Sequence, residues 1–151
     1  MRPIMHAAVS FSLGAVLWFF TKSLYAGLIC FLSGVLIDGD HIVEYLIHHR
    51  SKGLTIRKVC QACEDTTKGE GEYRFPKLYL FLHTWELVII ICIAAAYVKN
   101  IYLAAFAMGY ASHLILDSTK NPAYPYAYFI IWRIIKNFHT HHLLRDKRQR
   151  L

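Results

Sequence analysis

Charge is scarce in this chain. Asp, Glu, Lys and Arg make up 18% of its 151 residues, where a soluble globular domain carries about a quarter. Acidic residues are scarcer than basic ones, 10 against 17, and none of either sign lies between Leu24 and Ile37. There is no low-complexity tract, and no internal repeat beyond a pair of apolar hairpins. Disorder is excluded as the global state, because the chain has far too much apolar sequence for it. The length allows one domain and excludes two ordinary ones. No base-reading motif accompanies the basic residues, which sets nucleic acid aside as a partner. The 4 cysteines include one Cys-x-x-Cys pair, Cys60 and Cys63, without the second pair of a common zinc signature.

What is present is apolar. Hydrophobic residues reach 56% and mean hydropathy is +0.32, which makes an integral membrane protein the leading class. Against that background, 9 His and a net charge of +7 need places.

Four apolar runs stand out: Ile4–Phe20, Leu24–Ile37, Leu78–Val98 and Ile101–Leu116. At 1.5 Å rise per residue the strictly apolar stretches span roughly 21–25 Å. That is short of a hydrocarbon core of ~30 Å, so polar residues are expected inside the helix ends. Thr21-Lys22-Ser23 and Lys99-Asn100 are too short for anything but tight turns. The sequence therefore predicts an all-α membrane domain over 1–151, with two helical hairpins. Its helices are expected at about 4–20, 24–47, 78–98 and 101–117, with a polar loop at about 48–77. A fifth helix is expected at about 126–139, after the Pro-broken turn at Asn121-Pro122 and Tyr124-Pro125. There Arg133, Lys136, Asn137 and Thr140 recur at helical spacing on an apolar background, which suggests a helix lying in the membrane interface. The alternative is a fifth spanning helix, which would set Arg133 near its middle. A cleaved signal peptide over 1–26 is disfavoured by His6 inside the run and by the immediate second run.

Charge then orients the hairpins. Of 17 Lys and Arg, only Lys22 and Lys99 fall in the two short turns. The positive-inside rule places the opposite side in the cytoplasm. The basic tail at 145–150 is expected to face anionic lipid headgroups.

The same topology sends the other polar residues to that side. His6 opens helix one; Asp38, Asp40 and His41 close helix two; His83 and Glu86 open helix three; His113 and Asp117 close helix four. His113 and Asp117 are one turn apart and share a helix face. Ionisable groups inside a membrane pair, bind ions or do chemistry. A divalent cation suits mixed imidazole and carboxylate ligands, zinc first, with manganese or iron as alternatives. The candidate ligands are His6, Asp38, Asp40, His41, His83, His113 and Asp117. Glu86 and Asp40 are the candidate proton acceptors. Other roles stay open: His6 as an interfacial histidine, Asp40 as a loop carboxylate, Glu86 paired with Arg50, and His41 orienting a carboxylate.

Four segments carry a resemblance. They are His6; Gly34-Val-Leu-Ile-Asp38-Gly-Asp40-His41; His83-Thr84; and Gly109-Tyr-Ala-Ser112-His113-Leu-Ile-Leu-Asp117. Together they resemble the membrane-bound metal-dependent hydrolase family, also described as LexA-binding, inner-membrane-associated hydrolases. The His-x-x-x-Asp element is also similar to a motif of helical zinc-dependent phospholipase C enzymes. The resemblance implies a metal-dependent hydrolase of the inner membrane, acting on a phosphoester or a lipid-like substrate. The chain departs from the family at Ile37, where the family has Pro. At His49-Arg50, Gly53 and Thr55 it only echoes a family segment, with Ile56 in place of a His.

Two further functions compete. One is a non-enzymatic membrane adaptor with a structural metal core. The other is a di-iron membrane oxygenase, for which the chain lacks repeated histidine boxes and offers only His139-Thr-His141-His142. Cys30 and Cys92 read as buried apolar residues, and Cys60 and Cys63 with His48 and His49 as a possible second zinc site.

Overall fold

The computed structural model describes residues 3–145. Among these the chain is all helical, with no strand beyond two isolated bridges. Arg2 and the tail after Arg145 lie outside the described residues. The chain divides into two compact units.

One unit comprises 2–37 and 84–119. It contains α1 (Pro3–Thr21), α2 (Leu24–Leu36), α5 (Trp85–Val98) and most of α6 (Ile101–Lys120). Both predicted turns are there. Lys22 and Lys99 take left-handed φ values of 56° and 53°, which stops α1 and α5. Ser23 then caps α2 by accepting from the Ala26 N–H at 3.3 Å. Asn100 caps α6, its Oδ1 accepting from Tyr102 and Leu103 N–H at 2.8 and 3.1 Å. Each turn thus satisfies helix-end amides that the apolar runs cannot satisfy themselves.

This unit buries Ile37, Val88, Tyr110 and Leu114, but most of its other buried positions are small and many of its large apolar side chains face outward. Ala26, Gly27, Cys30, Ser33, Gly34, Ala105, Ala107 and Gly109 are buried. Phe11, Trp18, Phe19, Phe20, Leu28, Leu32, Ile89, Ile90, Ile93 and Phe106 are exposed. Water-soluble cores show the reverse; helices packed in lipid bring backbones together through small residues. A Cβ added at Gly14 would lie 2.6 Å from the Gly27 carbonyl oxygen, so α1 and α2 touch backbone to backbone. The stretches Ile4–Thr21 and Leu24–Lys52 are long and apolar enough to cross a membrane.

The other unit comprises 38–83 and 120–145 among the described residues. It contains α3 (Asp40–His49), α4 (Ile56–Lys68), α7 (Ile130–Ile135) and α8 (Thr140–Leu143). Its core is Tyr45, Val59, Ala62, Phe75, Leu78, Ala127 and Leu143. Three expectations change here. The polar loop holds a helix, α4, because Val59, Ala62 and Thr66 share one buried face among charged neighbours. The third predicted helix starts at Trp85, not at 78, because peptide groups of 79–83 are bonded by side chains instead of by a helix. The predicted helix at 126–139 is broken into a 3₁₀ turn (Pro125–Tyr128), α7 and α8, with Asn137 and Phe138 at φ 49° and 58°. Arg133 is buried at 3% exposure, so it belongs to no solvated stripe.

Candidate metal centre

The seven predicted ligands are divided between the two units, three in one and four in the other.

The first cluster depends on close helix packing. A Cβ at Gly109 on α6 would lie 2.0 Å from the Cys30 carbonyl oxygen of α2. A Cβ at Gly34 on α2 would lie 2.1 Å from Ser10 Oγ on α1 and 3.1 Å from the Gly109 carbonyl. Only glycine allows this approach, and it sets the end of α6 against α1 and α2. His6, His113 and Asp117 are all buried there, with ligand atoms within 4.8 Å of one another. His6 Nε2 is 3.2 Å from Asp117 Oδ1, and the two imidazoles stack at 4.3 Å.

The tautomer of His113 follows from its neighbour. Its Nδ1–H donates to the Gly34 carbonyl at 2.7 Å, since a carbonyl only accepts. Its Nε2 then faces Asp117 Oδ2 at 3.7 Å. A lone pair against a carboxylate repels, and a cation offsets it: a second ring proton or a metal ion. Metal-bound histidines characteristically donate their other N–H to a carbonyl or carboxylate. Among the described residues the buried His6 Nδ1 has no hydrogen-bond partner. Two imidazoles and one carboxylate are a ligand set that zinc accepts, and the residues fit such an ion.

The second cluster lies at the start of α3 and the end of the 79–83 segment. Asp38 Oδ1 lies 3.8 Å from His41 Nε2 and 4.0 Å from His83 Nε2. Asp40 Oδ2 lies 3.4 Å from His83 Nδ1 and accepts the Leu82 N–H at 2.7 Å. The rings of His41 and His83 are 4.9 Å apart. Asp40 and His83 are buried, whereas Asp38 and His41 are partly open.

Glu86 sits in the first turn of α5, half-buried, and is not one of the three grouped residues of its unit. Among the described residues, Cys60, Cys63, His48 and His49 belong to no group that could hold a metal ion. His48 meets Glu44 at 3.2 Å and His49 donates to the Tyr73 carbonyl at 2.9 Å. Burial pushes the Cys63 thiol up to about 12, with the negative forms of Cys60, Asp38 and Glu44 adding to it. His139, His141 and His142 neighbour one another, with ring centroids 5.4 and 4.0 Å apart. His142 is held below the usual histidine range by loss of solvent and then by the positive forms of His141, Lys136 and His139.

The roles of two residues are not read from the sequence. Glu44 is 1% exposed and accepts backbone N–H groups of Tyr79 and Leu80 at 3.0–3.1 Å. Its spacing from Asp40 and His48, one turn either way, is the signal that would have found it. Arg133 donates to four carbonyls, and its signal was a lone charge in the apolar run 126–135.

No family model, curated protein or solved structure matches the chain.

Proposed function

We propose that this chain is a membrane-bound metal-dependent hydrolase acting on a phosphoester or lipid-like substrate. The observation that carries the proposal is the His113 tautomer, set by the Gly34 carbonyl so that Nε2 turns to Asp117. In this reading His6, His113 and Asp117 hold a divalent ion, zinc before manganese or iron. Such an ion supplies Lewis acidity and lowers the pKa of a bound water to about 7. The Gly34 carbonyl orients the His113 ring, and the Asp117 carboxylate neutralises part of the ion's charge. Asp38, Asp40, His41 and His83 supply the second set of imidazoles and carboxylates, with Asp40 as proton acceptor beside His83. Glu86 is the second candidate base.

The wider reading is four membrane-crossing helices with the basic segments and the C-terminus in the cytoplasm. The large apolar side chains on the outer surface of α1, α2, α5 and α6 support it. So does the concentration of Lys and Arg away from the two short turns. Exposed Ile131, Ile134 and Ile135 on α7, followed by Lys136, suit contact with lipid and anionic headgroups.

A structural metal core in a membrane adaptor is the second reading. It is favoured by the near-complete burial of His113 and Asp117, at 0 and 1% exposure. Metal analysis tests both: purified protein is expected to carry a divalent metal that Asp117→Ala and His113→Ala lose. Unchanged metal content in those variants sinks the site. A screen of phosphoesters and phospholipids with metal-replete protein then separates enzyme from adaptor.

A further inference from the structure

The segment from Tyr79 to His83 is not a helix, and its peptide groups are bonded by buried charges. Three of its N–H groups donate to carboxylates, Tyr79 and Leu80 to Glu44 and Leu82 to Asp40, and the His83 N–H donates to the Leu80 carbonyl at 3.0 Å. Its carbonyls accept from one guanidinium. Arg133 Nη1 donates to the Tyr79 and Leu80 carbonyls at 2.8 and 2.6 Å, and Nη2 to the His83 carbonyl at 2.7 Å. Nε holds the Ala127 carbonyl at 2.6 Å, which ties the guanidinium to its own end of the chain. Leu80 is held at φ 35°, a left-handed conformation that a leucine adopts only when its surroundings impose it. The peptide that this network fixes bears the imidazole of His83, which meets Asp38 and Asp40.

We infer that Arg133 is the positioning residue of His83: its planar fork fixes the main chain from which the imidazole reaches both carboxylates. Lysine cannot replace it, because a single ammonium cannot hold four carbonyls that diverge around a plane. What His83 does once positioned rests on the hydrolase reading. The positioning itself does not.

Arg133→Lys tests this in detergent-solubilised full-length protein, with circular dichroism and size exclusion as fold controls. The readout is the histidine side-chain ¹⁵N spectrum of metal-free protein, with the His83 signals assigned by His83→Ala. The His83 signals are expected to move in Arg133→Lys while those of His139, His141 and His142 stay. Unmoved His83 signals overturn the inference. If Arg133→Lys fails to fold, Glu44→Gln disturbs the same segment through its N–H groups and must move the same His83 signals; unmoved signals again overturn it. Wild-type protein without zinc affinity would sink the hydrolase reading and leave the spectral test of Arg133 standing.

Discussion

Asp117 is within reach of both imidazoles of its cluster, so its charge matters more than its shape. Asp117→Asn keeps the volume and a carbonyl oxygen but removes the anion that a divalent ion needs. Metal affinity is expected to fall at least 100-fold, read by chelator competition, with little change in helicity. Cys63 gives a prediction of a different kind. Its thiol is pushed from the usual 9.0 to about 12, so the neutral form is the one the fold favours. The stability it contributes is complete below about pH 9 and is lost as pH rises towards 12. Cys63→Ala should therefore flatten the alkaline limb of a pH–stability curve above pH 9. In native protein at pH 8, iodoacetamide should label exposed Cys60 well before Cys63. At this scale the sequence was readable where a residue's spacing announced it. His113 and Asp117, one turn apart, were found that way. The roles of Glu44 and Arg133 were not: Glu44 stands one turn from Asp40 and His48, and Arg133 stands out in its apolar run, but both act on peptide groups, and side-chain spacing does not show which backbone a charge will bond.

Helices α1, α2 and α6 pack through glycine, and this makes two similar substitutions unequal. At Gly109 an added methyl meets the Cys30 backbone carbonyl, which cannot turn aside. At Gly34 its nearest obstacle is the Ser10 side chain. Gly109→Ala is expected to cost about 1–3 kcal/mol or more, as overpacking does, and to loosen metal binding by displacing His113 from the Gly34 carbonyl. Gly34→Ala should be partly rescued by Ser10→Gly, whereas Ser10→Gly should not rescue Gly109→Ala. Thermal unfolding with metal titration of the four variants checks this; equal rescue at both sites would contradict the packing. The hairpin turns at Lys22 and Lys99 were legible because short polar breaks between long apolar runs leave one solution. Helix α4 was legible in principle, since its apolar face repeats at helical spacing. The break before Trp85 was not, because 78–84 is as apolar as the helix that follows and only the distant Glu44 and Arg133 make it irregular.

Over the whole molecule, composition and metal make separate predictions. An outer surface of large apolar side chains on α1, α2, α5 and α6 should keep the chain in the membrane pellet through carbonate and high-salt washes, and release it with detergent. Release by carbonate alone would remove the membrane reading while leaving both polar clusters in place. A metal that binds only the folded chain adds stability by mass action, about 2.7 kcal/mol at a hundredfold excess over Kd. For a chain of this size that corresponds to a rise in Tm of roughly 5–11 °C. Zinc added to chelator-stripped protein is expected to raise Tm by that order, and a chelator to reverse it. His6 on α1 is far along the sequence from His113 and Asp117 on α6. An ion joining them therefore closes a long loop, and the gain should vanish in His113→Ala and in Asp117→Asn alike. A zinc-dependent rise that persists in both variants would assign the ion to other ligands, with the cluster of Asp38, Asp40, His41 and His83 the next to be tested by the same titration.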